Sequence, residues 1–145
     1  MRELKKKLLI GIDPDVHKSG FSMINNGSTI ITNHTFFEIF DILKYYKERE
    51  VKPTVYIECG FLNNSNWHKI AGESSAINAK IGERTGANFE VAKKLCEMCE
   101  YLKIPYVQIK PTRHKVNAKE FKVLTGIKQR TNQDERDSFM LIFGR

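Results

Sequence analysis

The chain has 145 residues, 41% of them hydrophobic, and 24 Lys and Arg against 17 Asp and Glu give a net charge of +7. That hydrophobic share argues against disorder, and the length suits a single domain, residues 1–145, able to bury a core. No apolar run nears the roughly 18 residues of a membrane span, and the apolar run close to the start is too short for a signal peptide, so a cytoplasmic protein with no membrane partner is expected.

Residues 7–13 predict a first strand that runs through Leu8-Leu9-Ile10-Gly11-Ile12 and ends on a carboxylate, Asp13. Pro14-Asp15 is turn chemistry, and Gly20-Phe21-Ser22-Met23-Ile24 predicts a second strand. Asn25-Asn26-Gly27 is a hairpin signal that supplies positive φ, and residues 28–36 return as a third strand, completing an antiparallel meander. Residues 37–49 carry apolar positions at helical spacing. Thr54-Val55-Tyr56-Ile57 predicts a fourth strand, again closed by an acid, Glu58. After a polar loop, residues 74–103, beginning at Ser74, form a long helical pattern with small residues at Ala76, Ala79, Gly82, Gly86, Ala87 and Ala92. Residues 105–109 are a fifth strand. Asn117 predicts an N-cap for a helix over 118–124, and Asn132 caps a last helix expected to run on through Phe143, with Asp134 and Glu135 in its first turn.

Cys59, Cys96 and Cys99 are an odd number, which argues against a disulfide framework. Cys96 and Cys99 sit inside a helical pattern with no second pair of ligands for zinc, so reduced buried thiols are expected. The positive charge is concentrated: residues 110–132 carry Lys110, Arg113, Lys115, Lys119, Lys122, Lys128 and Arg130 against Glu120 alone. Such a field suits a polyanion.

Asp13 and Glu58 close two apolar strands. If those strands are neighbours and parallel, the two acids fall side by side, and the last helix offers Asp134 and Asp137 on one face. Carboxylates forced together repel, and a hard divalent cation such as Mg²⁺ relieves the repulsion.

The order βββαβαβαα with acids at these places resembles the ribonuclease H-like nucleases and, within them, the RuvC-type Holliday-junction resolvases, including phage-type members. Gly11-Ile12-Asp13-Pro14 is similar to their opening motif and Ile57-Glu58-Cys59-Gly60-Phe61 to their second. Pro111-Thr112-Arg113-His114-Lys115 with Lys119 is similar to their basic segment, and Asp134-Glu135-Arg136-Asp137 to their closing D-x-x-D. The chain departs from the pattern at Asp15, where the family usually has Gly.

The resemblance implies an α/β fold with a mixed five-stranded sheet, a three-strand antiparallel meander plus two parallel strands, flanked by helices. It implies that Asp13, Glu58, Asp134 and Asp137 hold two Mg²⁺ ions, with Mn²⁺ as a substitute, for hydrolysis of phosphodiester bonds in branched DNA such as a four-way junction. Lys115 and Lys119 become the basic catalytic residues, with Lys122 as rival to Lys119. Lys110, Arg113, His114, Lys128 and Arg130 become DNA contacts. Phe61 either inserts among bases or folds back on the core, and Trp67 is a second aromatic candidate. The Gly- and Ala-bearing helix resembles the resolvase dimer interface, so a homodimer is implied. Two other readings stay open: a ribonuclease H-type or transposase-type nuclease on the same fold, and a catalytically silent nucleic-acid-binding module. A nucleotide cofactor is not expected, since the chain lacks phosphate-binding glycine loops.

Overall fold

A computed structural model describes residues 7–63 and 75–145. Five strands, β1 (Leu8–Asp13), β2 (Ser19–Asn25), β3 (Ser28–His34), β4 (Thr54–Glu58) and β5 (Tyr106–Ile109), form one sheet in the order β3-β2-β1-β4-β5. β1 pairs antiparallel with β2 and β2 with β3, whereas β4 runs parallel to β1 and β5 parallel to β4. This is the expected meander with two parallel strands added. The hairpin between β2 and β3 turns on Asn26 and Gly27, at φ 50° and 88°, as their residue types require.

Helices cover both faces. On one face α1 (Phe36–Glu48) and α2 (Ser75–Leu102) bury Ile39, Leu43, Leu95 and Cys99 against Ile10, Ile12, Val55 and Ile57. On the other, α3 (Ala118–Thr125) and α4 (Gln133–Met140) bring Phe121 and Phe139 against Leu9 and Ile31. Side chains alternate across a strand, so Leu8, Ile10 and Ile12 point one way, and Leu9, Gly11 and Asp13 point toward α4.

Gly11 and Gly20 make room for α4. A Cβ on Gly11 would collide with the Ser138 carbonyl oxygen, and one on Gly20 with the Asp134 carbonyl. The contact is fastened by Ser22 and Ser138, whose buried hydroxyls lie 2.7 Å apart.

Local signals set the helix ends. Thr35 and Glu38 form a capping box at α1, as do Asn132 and Glu135 at α4, and Asn117 caps α3 by accepting from the Glu120 amide. Among the described residues, two boundaries differ from expectation by more than one residue. The third strand ends at His34 rather than residue 36, because Thr35 already caps α1. The last helix ends at Met140 rather than Phe143. Beyond it Leu141 and Ile142 are buried in a turn, so the apolar run fills core without continuing the helix. The three cysteines are free and buried, as expected. Trp67 and Ser74 lie outside the described residues. Among the described residues no helix is long and apolar enough to cross a membrane.

Candidate active site

The register of β1 on β4 pairs Gly11 with Tyr56 and Ile12 with Ile57, so Asp13 and Glu58 follow as the next residues of adjacent parallel strands. Both point to the α4 face. The close approach allowed by Gly11 and Gly20 then brings Asp137 to the same strand ends. One carboxylate oxygen each of Asp13, Glu58 and Asp137 lies within 4.8 Å of the others. Asp134 is hydrogen-bonded to Asp13 at the edge of this cluster.

A cation of the chain already sits among these acids. Lys115, from the loop after β5, donates from Nζ to Glu58 Oε1 at 2.8 Å and lies 3.6 Å from Asp137 Oδ2. The Glu58 and Asp137 side chains are only 10% and 11% exposed. Gln133, one turn before Asp137, donates to Asp137 Oδ1 at 2.8 Å and to the Val116 carbonyl at 3.2 Å, tying the metal-side acid to the lysine's loop. Arg136 adds a bond to the same carbonyl at 3.1 Å.

The electrostatics follow from this crowding. Burial, and then the charges of Glu58, Asp134 and Asp137, push the Asp13 carboxyl well above the usual carboxylate range. Asp137 is raised by burial against the opposing hydrogen bond from Gln133 and the charge of Lys115. Burial also raises Asp134, although its hydrogen bond with Asp13 opposes the shift. For Lys115, burial alone would lower the ammonium, but the charge and hydrogen bond of Glu58, with the charges of Asp137 and Asp13, together outweigh that and raise it.

The donor set fits a hard divalent cation. It is made of carboxylate oxygens, which suit Mg²⁺ and Mn²⁺. Lys115 pairs with Glu58 and Asp137, Asp13 has no ion-pair partner among the described residues, and a partly buried carboxylate without one is costly. Asp13, Glu58 and Asp137 could therefore hold a metal ion.

Asp13, Glu58, Asp137 and Lys115 line a cleft of about 370 Å³ whose other lining comes from α2, the loop after β5, Pro14 and Gly60. Of the remaining expected residues, Lys119 and Lys122 stand exposed on α3 and are not among the described residues that line the cleft. His114 is exposed and meets Glu120 at 3.0 Å. Lys110, Arg113, Lys128 and Arg130 are exposed. Phe61 lies in a 3-10 turn, Gly60–Leu62, partly buried against the core, with Lys93 Nζ 5.6 Å from its ring centre.

No family model matches the chain, and no curated protein matches it. Among solved structures, the chain is similar to Thermus thermophilus RuvC in complex with a Holliday junction substrate. The identity is 13% and the TM-score 0.47, over 93% of this chain and 89% of that one. It is similar also to a second structure of Thermus thermophilus RuvC, at 12% identity and a TM-score of 0.49 over 92% and 90% of the two chains. A further similar structure is YeaZ from Pseudomonas aeruginosa, at 8% identity and a TM-score of 0.40, over 83% of this chain and 50% of that one.

Two contributors to the site were missed from sequence: Gln133, which orients Asp137, and Arg84, a cation of α2 that lines the cleft. Gln133 had a local signal, since it stands four residues before Asp137 on the same helical face. Arg84 had none, because its partner is Asp15, 69 residues away.

Proposed function

We propose that the chain is a metal-dependent endonuclease that hydrolyses phosphodiester bonds in branched DNA, the four-way junction first, as a homodimer using two Mg²⁺ ions per site. The observation that carries this reading is the convergence of Asp13, Glu58 and Asp137 within 4.8 Å at the ends of two parallel strands. A catalytically silent binding module would gain nothing from gathering carboxylates where a polyanion must approach. The choice of branched DNA rests on the four motifs, in register along the chain, that resemble the resolvases.

Asp13, Glu58 and Asp137 would hold the metal, with Asp134, hydrogen-bonded to Asp13, extending the site toward a second ion. When bound, the ions would supply a nucleophilic water at neutral pH and stabilise the attacking and leaving oxygens of an in-line displacement. Gln133 fixes the orientation of the Asp137 carboxylate. Lys115 offsets part of the charge of Glu58 and Asp137, and would become free to meet a phosphate oxygen once ions take those carboxylates. The basic residues from Lys110 onward, with Arg113, His114, Lys119, Lys122, Lys128 and Arg130, would attract the backbone, and their contribution should appear as salt-dependent binding.

The test is incubation of the purified protein with end-labelled four-way junction, flap, linear duplex and RNA–DNA hybrid, in Mg²⁺ and in EDTA. Paired nicks in the junction, lost in EDTA, are expected. Cleavage of the hybrid in preference to the junction would select the ribonuclease H-type alternative. Binding without any cleavage in Mg²⁺ or Mn²⁺ would overturn the enzyme reading.

A further inference from the structure

We propose that α2 supplies a second phosphate-binding wall to the cleft, with Arg84 as its cation, so that a DNA backbone is held by two separate parts of the chain. This rests on the nuclease reading for the nature of the ligand, a phosphodiester backbone; the geometry is independent of it.

Without metal, acids outnumber cations in the cleft. Asp13, Glu58 and Asp137 line it, and among its described lining residues only Lys115 and Arg84 are cationic. The Lys115 ammonium is engaged by Glu58 and Asp137. Arg84 is the cation of the cleft whose partner, Asp15, is not a candidate metal ligand, so it can meet a phosphodiester whether or not the acids hold metal.

Arg84 is held there rather than merely near. Its guanidinium meets Asp15 Oδ1 at 3.1 Å. Asp15 is itself fixed in the turn after β1, where its other oxygen accepts from the His17 amide at 3.1 Å. One turn along α2, Asn88 accepts from the Val16 amide at 3.0 Å. Two adjacent α2 side chains thus clamp the helix to the turn that follows Asp13, which registers this wall against the candidate metal ligands. The Arg84 side chain remains 64% exposed. A guanidinium has five N–H donors in a planar fork, so pairing with Asp15 leaves donors to offer a phosphate. Ordering the side chain in advance removes part of the entropic cost of that contact. Asp15 is also the residue at which the opening motif departs from the resolvase pattern, and Arg84 gives that departure a use.

Salt titrations of junction binding in EDTA, followed by steady-state cleavage in Mg²⁺, test the proposal. Arg84→Gln should flatten the log–log salt slope by about 0.9, one phosphate's worth. It should weaken binding several-fold and raise KM by a similar factor, with kcat within about twofold. Arg84→Lys should restore the slope, because counterion release follows charge. Lys94→Gln, which removes a cation paired with Glu97 elsewhere on α2, should match wild type. Should Arg84→Gln fold poorly, Arg84→Met provides the same readout. A wild-type slope and KM in the folded Arg84 variants, while the wild-type protein binds and cuts, would overturn the α2 wall alone. A wild-type protein that neither binds nor cuts any of the DNAs would remove the nuclease reading first.

Discussion

At Lys115 the chain carries its own cation inside the acid cluster, and this makes metal binding a competition. A divalent ion must take oxygens of Glu58 and Asp137 that the ammonium now holds at 2.8 and 3.6 Å. In Lys115→Met those carboxylates lose their partner, so the metal-free protein should melt a few degrees lower. The gain in Tm on adding Mg²⁺ should exceed that of wild type. Thermal unfolding in EDTA and in Mg²⁺ measures both, and an equal gain in the two proteins would show that lysine and metal do not compete. The raised Asp13 carboxyl adds a pH dependence. An acid with a raised folded pKa keeps its proton longer in the native state, so its contribution to metal-free stability falls as pH climbs above the ordinary carboxylate range of about 4. Metal binds the ionised form and releases the proton. The Mg²⁺-induced gain in Tm should therefore be larger at pH 7.5 than at pH 5.5, and the reverse order would place the metal away from Asp13. Asp13→Asn, Glu58→Gln and Asp137→Asn should each reduce cleavage at least about 100-fold, since losing even an outer hydrogen-bonding partner of a ligand costs 10–100-fold. Junction binding in gel shifts should be intact or tighter, because a negative charge facing phosphate has gone. Full activity in Asp137→Asn would remove that residue from the site.

At the scale of elements, α4 reaches the strand ends only because Gly11 of β1 and Gly20 of β2 carry no side chain where its backbone comes closest. Gly11→Ala would press a methyl group onto the Ser138 carbonyl. Overpacking of this kind costs about 1–3 kcal/mol, a fall in Tm of roughly 3–9 °C for a domain of this length. The displaced α4 would carry Asp137 with it, so metal affinity should drop in the same variant, as isothermal titration would show. Stability lost without any change in metal affinity would mean that α4 yields elsewhere. The same element shows what the sequence could reveal. Strand-end acids, the Asn25-Asn26-Gly27 hairpin signal and the caps Asn117 and Asn132 are local patterns, and each was legible. Thr35, the cap of α1, is an equally local signal, but Thr35 and Phe36 also suit a sheet, and the strand expectation ran through both. The overrun of α4 has a different cause: Phe139 to Phe143 is apolar throughout, and burial alone does not distinguish a helix from a buried turn. Arg84 with Asp15, and Lys115 with Glu58, are pairs 69 and 57 residues apart. Nothing in either local stretch announces such a partner; the fold alone creates it.

For the whole molecule the question is what the face of α2 that carries Gly82 and Gly86 does. The second half of α2 packs on the sheet through Ala92, Leu95, Cys96, Cys99 and Leu102. In the first half, a Cβ added at Gly82 or Gly86 would meet no other described residue within 4 Å. These glycines therefore serve no packing within the described chain, although each costs about 1 kcal/mol of helix propensity relative to Ala. A contact with a second copy would offset that cost, since small residues one turn apart let another helix approach closely. A two-fold dimer would also set one active site against each of the two strands that must be cut in a four-way junction. Gly86→Leu should then give a folded monomer, no less stable as a single chain because Leu favours the helix. It should keep its metal affinity and nick junctions, but the two cuts should become independent events instead of paired ones. Light scattering on wild type and variant at micromolar concentration gives the mass, and a supercoiled cruciform plasmid separates single nicks from paired cuts. A wild-type monomer that nevertheless makes paired cuts would mean that two copies meet only on DNA. Unchanged pairing in Gly86→Leu as well would take α2 out of that contact.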